Sequence, residues 1–571
     1  MKKNQRLFVC CITFVVLFVT IFGAVNLRAS AIAYLADEFL DIGVYKDGNA
    51  EVVKDRENIH EWGGMSAVFV LLSLAKLQED GLIDPDTPVT DYFPEDVTSA
   101  LRFSYPITVK DILNHTTGLQ NAMTGRVMLE GEKFTSLSDV LINNKPNQNF
   151  KSGDYVSYSD YGICLGAYLV ESVSGMPYYE YVHKNILEPL GMEHTSIYFD
   201  YSDCENVASV MNAKASVKFA YYPAYSACGS MEDMLILTED LVSGKSKVLS
   251  DESLQSFFGG TLNYRGTDVI RISYGLAAYY EYENTCFGLR SSNYDGMTHL
   301  YLCPDTQTAV IIVDHNPEEP QGIFVSKEYF GWAKESADSF SYTIKDMAGY
   351  YMKAGATIRG KSTFLSLMDG VNFKACGDHG LALSSNPSVP YLTQISEYGF
   401  LSDAGDVGYF YKDAGGNKMI QYPTLDLVPY PGALPVLRLI IVILYYLSLI
   451  YAFGALLAGV FSFISRKVKK DSKKAPSFRK YHLIACLTVL LHGIVFTVMT
   501  MTLLMGINNR IVSMSTMMFF FGTLIAFIYL VFLIRTGRRE HCSKIEKIGY
   551  YATAVAGIIT IGFSFLFNLL F

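Results

Sequence analysis

The chain is poor in charge and cysteine. Only 18% of its 571 residues are Asp, Glu, Lys or Arg, against about 25% in an average soluble domain. Half are apolar and mean hydropathy is positive, which excludes a disordered or collagen-like chain and argues against a purely soluble one. Ten cysteines are too few for a disulfide scaffold, in which cysteine exceeds about 8–10%. No CxxC spacing points to zinc, and the histidines, His60, His299 and His315 among them, show no metal-ligand spacing. No metal and no cofactor are therefore expected. The long apolar runs near the C-terminus hold His482 and His492 but no central Asp or Glu, so they lack the acids that usually mark an ion or proton path.

What is present is a series of membrane-length segments. Leu7–Leu27 carries no charge and follows Lys2, Lys3 and Arg6; it is long enough to span a bilayer, which takes about 20 residues. It reads as a retained anchor or a cleaved signal, with Ala29-Ser30-Ala31 resembling a signal-peptidase site. Four more runs follow, at about 434–464, 482–505, 513–535 and 549–571. The loops after the first and third, Arg466–Lys480 and Arg535–Lys547, carry 13 of the 15 basic residues that follow position 432. The positive-inside rule places both in the cytoplasm, which predicts a multi-pass protein of the cell membrane with residues 32–432 outside the cytoplasm.

With 19 of the 46 basic and 3 of the 56 acidic residues lying elsewhere, residues 29–432 carry a net charge of −26. Such a surface repels nucleic acid and favours a small-molecule, peptide or protein partner. Within it the pattern predicts a buried helix over Met65–Lys76, a second over 159–176, and strands at 297–303 and 308–313. The outer part thus divides into an α/β or α+β domain, 32–340, and a small antiparallel β domain, 341–432, ahead of the helices of 433–571; residues 1–31 form the signal or anchor. Cys286 and Cys303 flank the turn-like Ser291–Gly296, so a hairpin centred there would make them a candidate disulfide.

Several passages carry a family likeness. Glu61-Trp62-Gly63 opens a helix ending at Gly81; Asn114-His115-Thr116-Thr117-Gly118-Leu119, Tyr158-Ser159-Asp160-Tyr161-Gly162, Pro189-Leu190-Gly191-Met192 and Cys228-Gly229-Ser230-Met231 follow in order. Together, over about 45–335, they resemble the serine β-lactamase and D-Ala-D-Ala carboxypeptidase family, nearest the class C and penicillin-binding-protein branch. The resemblance implies a nucleophilic Ser and an activating Lys three residues apart on one helix face. Counting back from Gly81 puts them at Gly64 and Ala67, so both are missing. Ser73 and Lys76 fit the same string but sit nine residues further along, about 13 Å away. Ser66 has no Lys three residues later and is only a fallback nucleophile. Tyr158 matches the family's catalytic-base Tyr, Asp160 replaces its usual Asn, and Leu289 and Ser291 replace the His (or Lys) and second Gly of its strand motif.

These replacements predict a membrane-anchored, catalytically inactive relative whose cleft around Gly64, Ala67, Tyr158, Asp160 and Leu289 binds a peptide such as a peptidoglycan stem, or which pairs with a membrane partner. Two alternatives stand beside it: an active serine hydrolase with relocated residues such as Ser66, and a membrane component of a transport or resistance system.

Overall fold

The structure, a computed structural model, describes residues 40–567 and 569 except 56–57, 123, 129–131, 199–217, 281–282, 293–295, 316–321, 332–342, 361–362, 368, 378–379, 384–390, 403–405, 431–433, 470–476, 507–508 and 538–543. The apolar segment Leu7–Leu27 and the site at Ala29–Ala31 lie outside the described residues, as does the tip of the predicted hairpin.

Eight strands form an antiparallel sheet: β1 (Leu40–Lys46), β2 (Asn49–Lys54), β6 (Leu262–Asn263), β7 (Ile270–Ser273), β8 (Leu276–Tyr279), β9 (Cys286–Ser292), β10 (Met297–Cys303) and β11 (Thr308–Asp314), in the order β2-β1-β11-β10-β9-β8-β7-β6. Two-residue strands β3 (His60–Glu61), β4 (Thr195–Ser196) and β5 (Cys228–Gly229) make a separate ribbon. β11 is buried along its whole length because both faces of the sheet are covered, which explains its unbroken Ala309–Val313 apolar run. On one face Phe287, Leu289, Leu300 and Leu302 join the main core; on the other Cys286, Tyr301 and Cys303 join a smaller cluster with Tyr279 and Ile312.

The main core is organised by helix α1 (Ala67–Glu79), reached through a 3₁₀ turn at Gly63–Ser66. Every residue from Ala67 to Ala75 is buried, the expected state of a helix apolar on all sides. Burying each leucine fully contributes about 1.5–3 kcal/mol. Helix α2 (Asp160–Ser174), capped by the Ser159 hydroxyl accepting from Gly162 N–H and ended by Gly175 at φ +72°, packs against it. Helix α3 (Met231–Val242) starts at Ser230, which caps Asp233 N–H, and covers the sheet beside β1 and β11.

Eight further strands, β12 to β19 (Gly349–Lys353, Gly370–Ala375, Gly380–Leu383, Leu392–Gln394, Gly399–Ser402, Val407–Lys412, Lys418–Tyr422 and Leu425–Pro429), close into a barrel by pairing β12 with β19. The barrel docks tightly on the first domain. Arg271 and Asp426 form an ion pair at 2.9 Å with both side chains 2% exposed, and Asp426 also accepts from Val156 N–H at 2.8 Å. Asn149 donates to the carbonyls of Ala354 and Ala356. A Cβ on Gly355 would lie 2.4 Å from Ser157 Oγ, so only glycine allows this approach.

Helices α4 (Leu434–Val468), α5 (Ser477–Leu504), α6 (Asn509–Gly537) and α7 (Lys544–Leu566) follow. Each is long and apolar enough to cross a membrane. The last begins and ends about five residues earlier than the apolar run alone predicts. Buried polar side chains join them: Tyr445 to His492, His492 to Ser564, and Tyr451 to Thr553. The domains meet one end of this bundle, where Arg438 donates to Ser366 Oγ and the Gly506 carbonyl accepts from Arg126 and Val127 N–H. At the other end Arg479 bonds Ser462 and faces Glu546 at 3.8 Å, so the segments flanking both basic loops lie together, away from the domains.

Candidate active-site cleft

The start of α1 is the place where the motif comparison puts a nucleophile. Gly64 is buried there, and a Cβ built on it would lie 2.0 Å from Ser291 Oγ and 2.7 Å from Ser291 Cβ. The β9 serine therefore occupies the space a side chain at position 64 would enter. Its hydroxyl donates to Ser292 O at 3.2 Å. Ala67, in the Lys position, is fully buried and offers only a methyl group. Leu289 lies on the Ser291 face of β9 but packs into the main core with 5% exposure.

Ser66, the fallback nucleophile, is committed to the backbone. Its hydroxyl donates to Gly63 O at 2.5 Å and accepts from Ala227 N–H at 3.0 Å, and the residue is 1% exposed. It splices the 3₁₀ turn to the segment before α3, where Trp62 N–H also bonds Ala227 O. Ser73 and Lys76 are likewise separated: Ser73 donates to Phe69 O within the core, while Lys76 pairs with Glu79 and Asp80 at the outer end of α1.

Tyr158 and Asp160 sit at the opening of α2. The Tyr158 hydroxyl is buried without a hydrogen-bond partner, and its ring tilts against His115 at 5.1 Å. Burial first, then the charge of Asp160, pushes the phenol well above its usual range. A catalytic base needs the opposite shift. Asp160 accepts from Tyr225 Oη at 2.7 Å and faces Arg126 at 3.8 Å; burial still holds its carboxyl above the usual range against both. The turn Tyr222–Tyr225 that presents Tyr225 packs on Gly63–Ser66, which joins the start of α2 to the entry of α1. His115 is fixed by Gly275 O at 2.9 Å. His299 points to the opposite sheet face, stacked on Tyr301, and has no access to Gly64.

Ser291, Arg126 and Tyr225 are the residues the motif reading did not assign. Ser291 was visible only as a lost glycine; no local pattern marks the other two. The neighbours of Arg126 in the chain, Gly125 and Val127, line a cavity of about 750 Å³ with Met128, Phe134 and, from α6, Ser513 and Met514.

One expectation is corrected. The β9–β10 register brings Cys303 opposite Cys286, as the hairpin predicted, but they are not joined. A hydrogen bond from Cys286 instead lowers the Cys303 thiol to about 6 against the effect of burial. The fold also gathers three residues that no sequence spacing relates, Asp41, His60 and His315, with ligand atoms within 4.8 Å of one another.

Comparison with known proteins is consistent with this architecture. A family model described as beta-lactamase matches residues 42–322. The chain is 28% identical over 140 residues to a putative penicillin-binding protein, PbpX, of Bacillus subtilis, covering 24% of this chain and 33% of that one. It is 27% identical over 132 residues to a putative D-alanyl-D-alanine carboxypeptidase of Escherichia coli, covering 22% and 30%. The match thus spans about a third of these relatives' lengths. A solved octameric penicillin-binding protein homologue from Pyrococcus abyssi aligns with a TM-score of 0.42 at 17% identity, over 68% of this chain and 95% of that one.

Proposed function

Because residues 42–322 form a domain of the beta-lactamase family, we propose that this chain is a membrane-anchored pseudoenzyme of that family, which binds a cell-wall peptide without cleaving it. The carrying observation is the exchange at the head of α1: Gly64 has no side chain, and Ser291 fills the space one would need. With Ala67 beside it, the position of the activating Lys supplies no amine. A phenol held well above its usual range at Tyr158 does not replace it. The peptide class rests on the relatives, which are described as penicillin-binding proteins and carboxypeptidases. The Arg126–Asp160–Tyr225 cluster offers a peptide both charge signs. The grouping of the basic-loop ends at the far end of the bundle supports an extracytoplasmic domain.

The test is covalent labelling of the full chain, purified in detergent, with a fluorescent β-lactam and a fluorophosphonate, read by intact mass. The expected result is no adduct from a folded sample, together with saturable binding of a D-Ala-D-Ala stem peptide. An adduct overturns the pseudoenzyme reading, and the labelled fragment names the nucleophile. No measurable peptide binding removes the ligand and leaves a scaffold for a membrane partner.

A further inference from the structure

Three residues far apart in sequence meet beside the entry to α1. Asp41 lies on β1, His60 on β3 and His315 just after β11. Asp41 is fully buried, His60 is 1% exposed, and the His315 side chain is 23% exposed. Asp41 Oδ2 is 2.7 Å from His315 Nε2 and 3.9 Å from His60 Nδ1. The second distance is too long for a hydrogen bond. His60 Nδ1 is buried with no hydrogen-bond partner. Its other nitrogen, Nε2, bonds Asp55 Oδ1 at 2.9 Å.

A buried, unpartnered imidazole nitrogen costs free energy unless something fills its lone pair or takes its proton. With Nε2–H donating to the Asp55 carboxylate, the neutral ring leaves Nδ1 as an acceptor that faces the Asp41 carboxylate 3.9 Å away. A cation satisfies both groups at once. Outer carboxylate, imidazole, metal is the usual order in protein metal sites.

We propose that Asp41, His60 and His315 form a divalent zinc site, with Asp55 orienting His60 from outside. Two imidazoles and one carboxylate suit zinc, with a water in the fourth position. At metal–ligand distances of about 2.0–2.1 Å, tetrahedral ligand atoms stand about 3.3 Å apart. The two separations from Asp41, 2.7 and 3.9 Å, bracket that value, and all three ligand atoms lie within 4.8 Å of one another. The partly exposed His315 gives the ion a way in. Zinc here would tie β1, β3 and the end of β11 together, four residues before Gly64, and so brace the cleft rather than react in it.

The experiment uses the full chain in detergent, without a polyhistidine tag, stripped with chelator and reloaded with zinc or cobalt. Metal is counted by mass spectrometry, and cobalt is read by its visible absorption. The expected result is one ion per chain, with a tetrahedral cobalt spectrum carrying nitrogen and oxygen ligands. His315→Gln should abolish the spectrum, and Asp55→Asn should weaken binding by about 10–100-fold, the usual effect of losing an outer partner. The wild-type spectrum decides the matter even where a variant fails to fold. No stoichiometric ion in the wild-type chain, or binding unchanged in both variants, overturns the site.

Discussion

The Ser291 hydroxyl stands 2.0 Å from where a Cβ of residue 64 would be. Glycine at the head of α1 and serine on β9 are thus sterically complementary, the reverse of the arrangement the family motifs imply. The two positions are 227 residues apart, and each explains the other.

Gly64→Ser should therefore destabilise the chain by about 1–3 kcal/mol, the usual cost of overpacking a filled site. In a Ser291→Gly background the same change should cost less than about 1 kcal/mol. A double-mutant cycle by denaturant or thermal melting measures the difference. Additive effects would mean the two side chains do not compete. Neither variant should hydrolyse a β-lactam, because position 67 still lacks an amine.

Ser66→Ala should act on stability and not on labelling. It leaves the Ala227 N–H without its acceptor in a buried position, which costs about 1–3 kcal/mol. A lowered melting temperature with an unchanged fluorophosphonate blank is the expected pair of results. Loss of a wild-type adduct would instead make Ser66 the nucleophile.

The Arg271–Asp426 pair should hold the barrel to the first domain. Arg271→Met leaves a buried carboxylate uncompensated and should cost about 3–5 kcal/mol. The double change Arg271→Met, Asp426→Leu should recover most of that. Protease susceptibility of the segment between the two domains reports the undocking.

Stability should fall as the medium is acidified below about pH 6.5. Burial, aided by Arg271 and opposed by the Gly275 hydrogen bond, lowers His115 to about 4. Between 6.5 and 4 the unfolded chain binds a proton that the folded one refuses, so stability is lost as pH drops, by at most about 1.4 kcal/mol per pH unit. His299, lowered to about 3 by burial and then Arg290, acts in the same direction. His115→Asn, which tolerates the φ of +54° at this position, should flatten the melting-temperature slope in that window. An unchanged slope would show that His115 does not titrate this way.

Local chemistry is what the sequence by itself determined. Apolar runs of membrane length became α4 to α7 because length and hydropathy need no tertiary partner to be recognised. The run Val68–Ala75 reads as a buried helix for the same reason, and the missing Ser and Lys at Gly64 and Ala67 are visible as letters. Capping serines at 159 and 230 mark the starts of α2 and α3. Juxtaposition is what only the tertiary structure decided. The register of β9 against the α1 entry sets Ser291 into the space at Gly64. The pairing of β1 with β11 carries Asp41 and His315 to His60, and the pairing of β12 with β19 closes the barrel. Each depends on contacts between residues tens to hundreds apart, whose geometry follows from packing the whole core and leaves no periodic trace in the chain.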